Sequence, residues 1–400
     1  MTAQQRPESA VPMRNGLAGL AGLALALCAT WALRPHPLLA SWLLLLSASL
    51  PMLWLELKSS SPLLVEGEGR QEPLLWLTGF AVASLPPLLL LSMAMAPVNW
   101  AIGWTVASVP FAIRYAVEWR LGRLSLWSGF CPKLARAVLN VDVPAVRALG
   151  QQWAFWMLKG FFIPLYGYFL FMGVVHLTSA LPVTPIGWLF VIIAIAFTID
   201  LTFGIAGYVF ASEKLFHSVV SLQPRLIGWL ACFFCYSTVS NYWPQFGAIL
   251  RNEHSWPSVL DQSPELSVAV PFMLAILAIY VSATIAFGLR FSNLTNRGVI
   301  TTGPYRLMKH PAYFGHVATA WITVLLFSRL DAAMLIALVA FTAVYRLRAV
   351  TEETHLRENP QYVEYEAWIR EHGLLGRASP QILLRSNPAR ASANNFAEKD

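Results

Sequence analysis

Three groups of polar residues late in the chain have types and spacing suited to holding a charged ligand. The first is Asn296-Arg297-Gly298, followed by Val299 and Ile300. The second runs Gly303-Pro304-Tyr305-Arg306-Leu307-Met308-Lys309-His310-Pro311-Ala312-Tyr313-Phe314-Gly315. After two apolar runs the third group holds Arg346, Arg348 and the pair Glu352-Glu353. Gly298 and Gly303 permit tight turns and close backbone approach, while Pro304 and Pro311 stiffen the path. Arg306, Lys309 and His310 supply hydrogen-bond donors, and Tyr305 and Tyr313 offer flat faces for a purine or a cation. Arg348 and Glu352 are four apart, so one helix face carries both charges. Such a set suits a soluble anionic or zwitterionic cofactor.

The elements that must position these groups are membrane helices. Of 400 residues 56% are hydrophobic and only 12% charged, with a mean hydropathy of +0.55. Soluble domains carry about 25% charged residues, so this composition excludes a soluble globule. Apolar stretches at 16–33, 39–57, 74–96, 99–117, 153–175, 186–210, 226–242 and 266–289 approach or reach the ~20 residues needed to cross a bilayer. Runs at 313–327 and 332–344, joined by Ser328-Arg329-Leu330-Asp331, form a closing hairpin. The expected fold is therefore an all-α polytopic bundle of about ten transmembrane helices. The hairpin returns Glu352 to the membrane face from which His310 starts, creating a pocket between them.

Charge sets the orientation. The net charge of +7 reads as loop bias and not as a nucleic-acid footprint. Residues 120–150 carry Arg120, Arg123, Lys133, Arg136 and Arg147 against Asp142, which makes this loop cytoplasmic, with an interfacial amphipathic helix near 132–139. Both termini then fall on the cytoplasmic side. The same loop divides an N-terminal membrane region, 1–150, from a second membrane domain, 151–378. The tail at 379–400 has a disordered composition. Arg114 and Glu118 are spaced to pair or to snorkel. Asp200 lies mid-helix, where an acid is either functional or hydrogen-bonded to a neighbouring helix. Cys28, Cys131, Cys232 and Cys235 are scattered, and Cys232-Phe233-Phe234-Cys235 lacks a second ligand pair, so no metal site is expected.

Residues 296–366, from Asn296-Arg297-Gly298 through the Gly-Pro-Tyr-Arg and His-Pro-Ala-Tyr-Phe-Gly blocks to Thr351-Glu352-Glu353 and Tyr362-Val363-Glu364-Tyr365, resemble the catalytic end of the isoprenylcysteine carboxyl methyltransferase family. The related phospholipid N-methyltransferases share the pattern. The resemblance implies a membrane methyltransferase that uses S-adenosyl-L-methionine and a lipidic or hydrophobic membrane-associated acceptor. It implies a cofactor pocket of Gly298, Val299, Ile300, Tyr305, His310, Pro311, Tyr313 and Glu352, with Arg348 on the acceptor side. Lys309 departs from the Arg common before the His-Pro, which removes a bidentate fork. Arg290 matches no family contact.

Methyl transfer from a sulfonium is an in-line displacement, for which holding donor and acceptor in position matters most. A carboxylate or thiolate acceptor needs no strong base. An amine acceptor needs one, and Glu353 or Asp200 are the candidates. Two other classes fit parts of the pattern: an NADPH-dependent reductase related to the sterol reductases, and a transporter or scaffold without catalysis. Taken singly, each residue also has an ordinary reading as a basic flank or a helix-end ion pair. Together they favour the methyltransferase.

Overall fold

The computed structural model describes residues 6–59, 73–120, 130–179, 184–211, 219–236, 249, 264–327 and 331–374. The expectations for the 60–72 loop, the 121–129 part of the basic loop, the second half of the 226–242 stretch and the 379–400 tail lie outside these residues. The helices are α1 (Met13–Leu33), α2 (Pro37–Ser59), α3 (Pro73–Ala94), α4 (Pro97–Arg120), α5 (Phe130–Leu139), α6 (Val143–Ala148), α7 (Gly150–Ser179) and α8 (Pro185–Val209). They continue with α9 (Leu226–Phe234), α10 (Val270–Phe287), α11 (Pro311–Phe327), α12 (Ala332–Leu356) and α13 (Pro360–His372). A two-stranded antiparallel ribbon, β1 (Ser221–Leu222) and β2 (Thr295–Asn296), pairs Ser221 with Asn296.

Local chemistry sets the helix ends. The side chains of Thr184, Asp331 and Asn359 accept from the backbone N–H groups of Gly187, Met334 and Gln361, and Pro185 and Pro360 occupy early helical positions. These caps satisfy donors that a helix start leaves open. Gly288 stops α10 with φ of 53°, a conformation in which a side chain is strained.

Among the described residues, seven helices are long and apolar enough to cross a membrane: α1, α2, α3, α7, α8, α12 and the Ser267–Arg290 stretch that contains α10. The chain is an integral membrane protein. About ten spans were expected, and the other three fall on α4, α9 and α11, the α9 stretch running on beyond the described residues. Helix α4 is long but interrupted by charge, with Arg114 donating to Glu118 at 3.0 Å and to the Val209 carbonyl at 3.1 Å. Helix α9 has nine residues and α11 has seventeen, short of a full crossing.

The helices pack by backbone approach at small residues. A Cβ on Gly103 of α4 would stand 1.9 Å from the Pro164 carbonyl oxygen of α7, and one on Gly22 of α1 would stand 1.8 Å from that of Ser47 on α2. One apolar core runs through both parts of the chain, joining Leu44 and Met52 to Phe161, Phe162, Phe203 and Tyr208. The amphipathic α5 buries Cys131, Leu134 and Ala135, its Cys131 carbonyl lying directly over Gly79 of α3.

Candidate active site at the closing hairpin

The chain reaches the site through a folded-back connector. After α10 it passes Asn293, pairs as β2, and turns at Gly298 with φ of 96°. The Asn296 side chain accepts from the Gly298 N–H at 3.0 Å, which closes that turn. Gly303 (φ 58°) starts a short 3-10 turn over Gly303–Arg306, and Tyr365 of α13 donates to the Tyr305 carbonyl at 2.7 Å. Pro311 then opens α11, whose first turn stacks the His310 and Tyr313 rings at 5.1 Å.

The last turns of α12 meet this turn. The Tyr313 hydroxyl donates to Glu352 Oε2 at 2.5 Å, and His310 Nε2 lies 2.9 Å from Glu353 Oε1. Lys309 donates to Glu353 at 2.7 Å and to Glu366 of α13 at 3.2 Å, and Arg357 bonds the same two acids at 3.1 and 2.6 Å. Lys309 thus makes the carboxylate contacts that loss of the Arg fork put in question. Glu353, read from the sequence as a base, is buried and tied by Lys309, His310 and Arg357. These three donors occupy most of its lone-pair sites and tie the last turns of α12 to the turn before α11.

Arg348 is anchored differently. Its Nη2 donates to Asn293 Oδ1 at 2.6 Å, and its guanidinium lies 4.8 Å from the Tyr313 ring centre. Asn293 donates in turn to the hydroxyls of Tyr166 and Tyr236, and Tyr208 accepts from its backbone N–H at 2.8 Å. These partners are neutral, which leaves a buried cation with charge to offer a ligand. Nothing in the sequence ties Asn293 to Arg348, since the relation joins the connector to a helix 55 residues further on.

A cavity of about 660 Å³ lies against these groups. Tyr305, Lys309, His310, Tyr313, Arg348 and Glu352 line its polar mouth, and Leu165, Phe169, Met172, Phe197 and Leu201 line its apolar part. Its size is in the range of small-molecule sites, roughly 300–1,000 Å³. Phe169 and Met172 in the apolar part are each 44% exposed.

Not every expected residue faces this cavity. Gly298, Val299, Ile300 and Pro311 are absent from its lining. Val299 packs on Tyr362, Tyr365 and Ile369, and Ile300 packs on Val11, Ala283 and Tyr305. The Val299 carbonyl accepts from the Ala10 N–H at 2.9 Å. The N-terminal segment therefore occupies the backbone surface that the resemblance gave to a cofactor. Arg297 is buried, donating to the Gly207 carbonyl at 3.0 Å while Arg290 donates to the Arg297 carbonyl at 2.7 Å. Burial, with Arg290 nearby, pulls the Arg297 guanidinium down to about 9.

No curated protein and no solved structure matches the chain. Residues 266–362 match the family model described as phospholipid methyltransferase, a span that holds α10, the folded-back connector and the whole closing hairpin. The segment that builds the polar mouth is therefore similar to the phospholipid methyltransferase family.

Proposed function

We propose that the protein transfers a methyl group from S-adenosyl-L-methionine to a lipidic or membrane-associated acceptor, a carboxylate, thiol or amine, at the cytoplasmic membrane face. One observation carries this reading: a single cavity joins the charged groups at His310, Arg348 and Glu352 to an apolar part lined by the exposed Phe169 and Met172. A water-soluble donor enters at one end and an apolar acceptor from the side. The matched family points to the same reaction.

The residues present fit the cofactor. An amino-acid-bearing nucleoside offers an ammonium, a carboxylate, a sulfonium and a purine. The mouth answers with the Glu352 carboxylate, the buried Arg348 guanidinium and the Tyr305 and Tyr313 rings. When bound, S-adenosylmethionine supplies an electrophilic methyl carbon on sulfur. Glu352, oriented by Tyr313, holds the cofactor's amino group or ribose. The His310 ring, fixed by Glu353, closes the polar end. Arg348, fixed by Asn293, holds an anionic group of the acceptor. The basic residues Arg120, Lys133, Arg136 and Arg147 support a reading with the mouth and both termini on the cytoplasmic side, and we propose a bacterial inner membrane as its setting.

Calorimetric titration of the purified protein with S-adenosylmethionine and, separately, NADPH tests the reading. Binding of the first and not the second is expected, with Glu352→Ala and His310→Ala each abolishing it while the helical content stays at the parent level. Parent-like binding by both variants would sink the assignment.

A further inference from the structure

Asp200 takes no part in the polar mouth, yet it lines the same cavity. It sits within α8, where an acid at membrane depth is costly and marks function by default. Thr284 of α10 donates to Asp200 Oδ1 at 2.5 Å, and Tyr280, one turn away on α10, and His316 of α11 line the same cavity and act on the Asp200 carboxyl electrostatically. A carboxylate has about four lone-pair sites, so the Thr284 bond holds it in place and leaves acceptor capacity for a ligand.

The polar groups continue from there. The Tyr280 ring is 4.9 Å from His316, His316 is 5.5 Å from Tyr345, and Tyr345 is 5.7 Å from Tyr313, whose hydroxyl reaches Glu352. Each lines the cavity. By helical rise His316 lies about 9 Å from His310 along α11, and Tyr345 about 10 Å from Glu352 along α12. The cavity thus has two polar levels, linked along one wall by hydroxyl, imidazole and carboxyl groups. Chains of this composition carry protons at membrane depth. Glu353 is tied by its cations and Glu352 belongs to the mouth, which leaves Asp200 as the acid available to the acceptor.

We propose that Asp200 accepts the proton of the methyl acceptor, and that the acceptor accordingly arrives as X–H, a thiol or a protonated amine, and not as a carboxylate. This rests on the methyltransferase reading above. The X–H bond breaks and its proton passes to Asp200. The electron pair left on X bonds to the methyl carbon of the sulfonium donor, and the carbon–sulfur bond breaks with its pair retained by sulfur as a neutral thioether. The proton then leaves by way of Tyr280 and His316 toward the mouth. Tyr280, Thr284 and His316 position and relay, while Asp200 touches the acceptor. A carboxylate in the same place would meet a like charge and be disfavoured. The titratable groups that interact with Asp200 are Tyr166 from α7, Tyr236 after α9, Tyr280 from α10, Tyr305 from the connector and His316 from α11.

The test uses the full-length protein in phosphatidylcholine vesicles with methyl-labelled S-adenosylmethionine and three probes of one chain length: dodecanethiol, dodecylamine and dodecanoic acid. The parent should label the thiol or the amine. Asp200→Asn should lose about 100-fold or more in kcat at neutral pH, the size of a general-base effect. It should keep the parent's cofactor affinity and regain rate as pH rises and the probe deprotonates unaided. Asp200→Glu should recover part of the rate, and His316→Gln should fall between. Asp200→Asn turning over the thiol or amine like the parent overturns the proposal. So does labelling of dodecanoic acid alone, or of no probe, by a parent that binds the cofactor. Should Asp200→Asn lose cofactor binding, His316→Gln decides, and a parent-like rate and pH profile in it overturns the relay. A parent that binds no cofactor brings down the methyltransferase reading itself, and this proposal with it.

Discussion

Tyr313 and Glu352, 39 residues apart, are joined by a 2.5 Å hydrogen bond that locks the first turn of α11 to the last turns of α12. The bond aims the Glu352 carboxylate into the cavity, while the same tyrosine ring lies under the Arg348 guanidinium. One aromatic residue thereby orients both charges of the mouth.

Removing only the hydroxyl separates these duties. Tyr313→Phe keeps the ring beneath Arg348 and loses the bond to Glu352. A hydrogen bond to a charged group contributes about 1.5–3 kcal/mol, and 1.4 kcal/mol is tenfold in affinity. The variant should therefore bind S-adenosylmethionine at least about tenfold more weakly by calorimetry, with an unchanged helical spectrum. Affinity equal to the parent's would mean that Tyr313 does not set the Glu352 position.

Asn293 makes the parallel argument for Arg348. Asn293→Leu has similar volume but offers Arg348 no acceptor, and it strips a donor from Tyr166 and Tyr236. Leaving a buried charge-bearing group unpaired costs about 1–3 kcal/mol or more. The expected outcome is a lower melting temperature together with a kcat reduced about 10- to 100-fold. Cofactor affinity should move little, because Glu352 and His310 are untouched. A loss confined to cofactor affinity would place Arg348 on the donor side instead.

The parts of the site that depend on near neighbours were legible in the sequence. Gly303-Pro304 announces a turn, His310 and Tyr313 are one helical turn apart, and Arg348 and Glu352 share a face by their spacing. The short polar turn ending in Asp331 marked the hairpin, and Asp331 does cap α12. What escaped joins residues far apart. Asn293 meets Tyr166 across 127 positions, and Gln361 donates to the Glu8 carbonyl across 353. No periodicity encodes such contacts. Around Gly298 the turn was readable, but the N-terminal segment that bonds the Val299 carbonyl was not.

The clamp between α12 and α13 carries a pH dependence. Hydrogen bonds from Arg357, with Lys309 alongside, hold the Glu366 carboxyl below its ordinary value. Its folded state thus binds a proton less readily than the unfolded chain. The stabilisation is complete above the unfolded value near 4.3 and is lost as pH falls through the folded value. Glu366→Gln should lower the melting temperature at pH 7, and the gap to the parent should narrow below about pH 4. Thermal unfolding in detergent at the two pH values reads this directly, and a gap of constant size would refute the linkage.

The N-terminal segment yields the last prediction, since its residues are remote in sequence from the hairpin they hold. Ser9 Oγ accepts from the Thr301 N–H at 3.2 Å, the Pro7 carbonyl accepts from the Thr301 hydroxyl at 2.9 Å, and the Glu8 carbonyl accepts from Gln361 at 2.8 Å. Arg6 lies 5.8 Å from the centre of the Trp368 ring. Deleting residues 1–9 removes these contacts while sparing Ala10, whose N–H bonds the Val299 carbonyl. At about 1 kcal/mol for each hydrogen bond, the loss is of order 3 kcal/mol. It should fall on residues 299–301 and 361–369, where hydrogen–deuterium exchange is expected to quicken by about 100-fold while α7 and α8 keep the parent's protection. The connector so loosened carries Tyr305 and, beyond it, His310, so S-adenosylmethionine affinity should fall in the same deletion. Gly298→Ala should reproduce part of the effect, because a Cβ there would stand 2.6 Å from that of Ala10 at a φ of 96°. Unchanged exchange at 299–301 in both variants would mean that the connector holds its shape unaided and that the N-terminal segment merely rests on it.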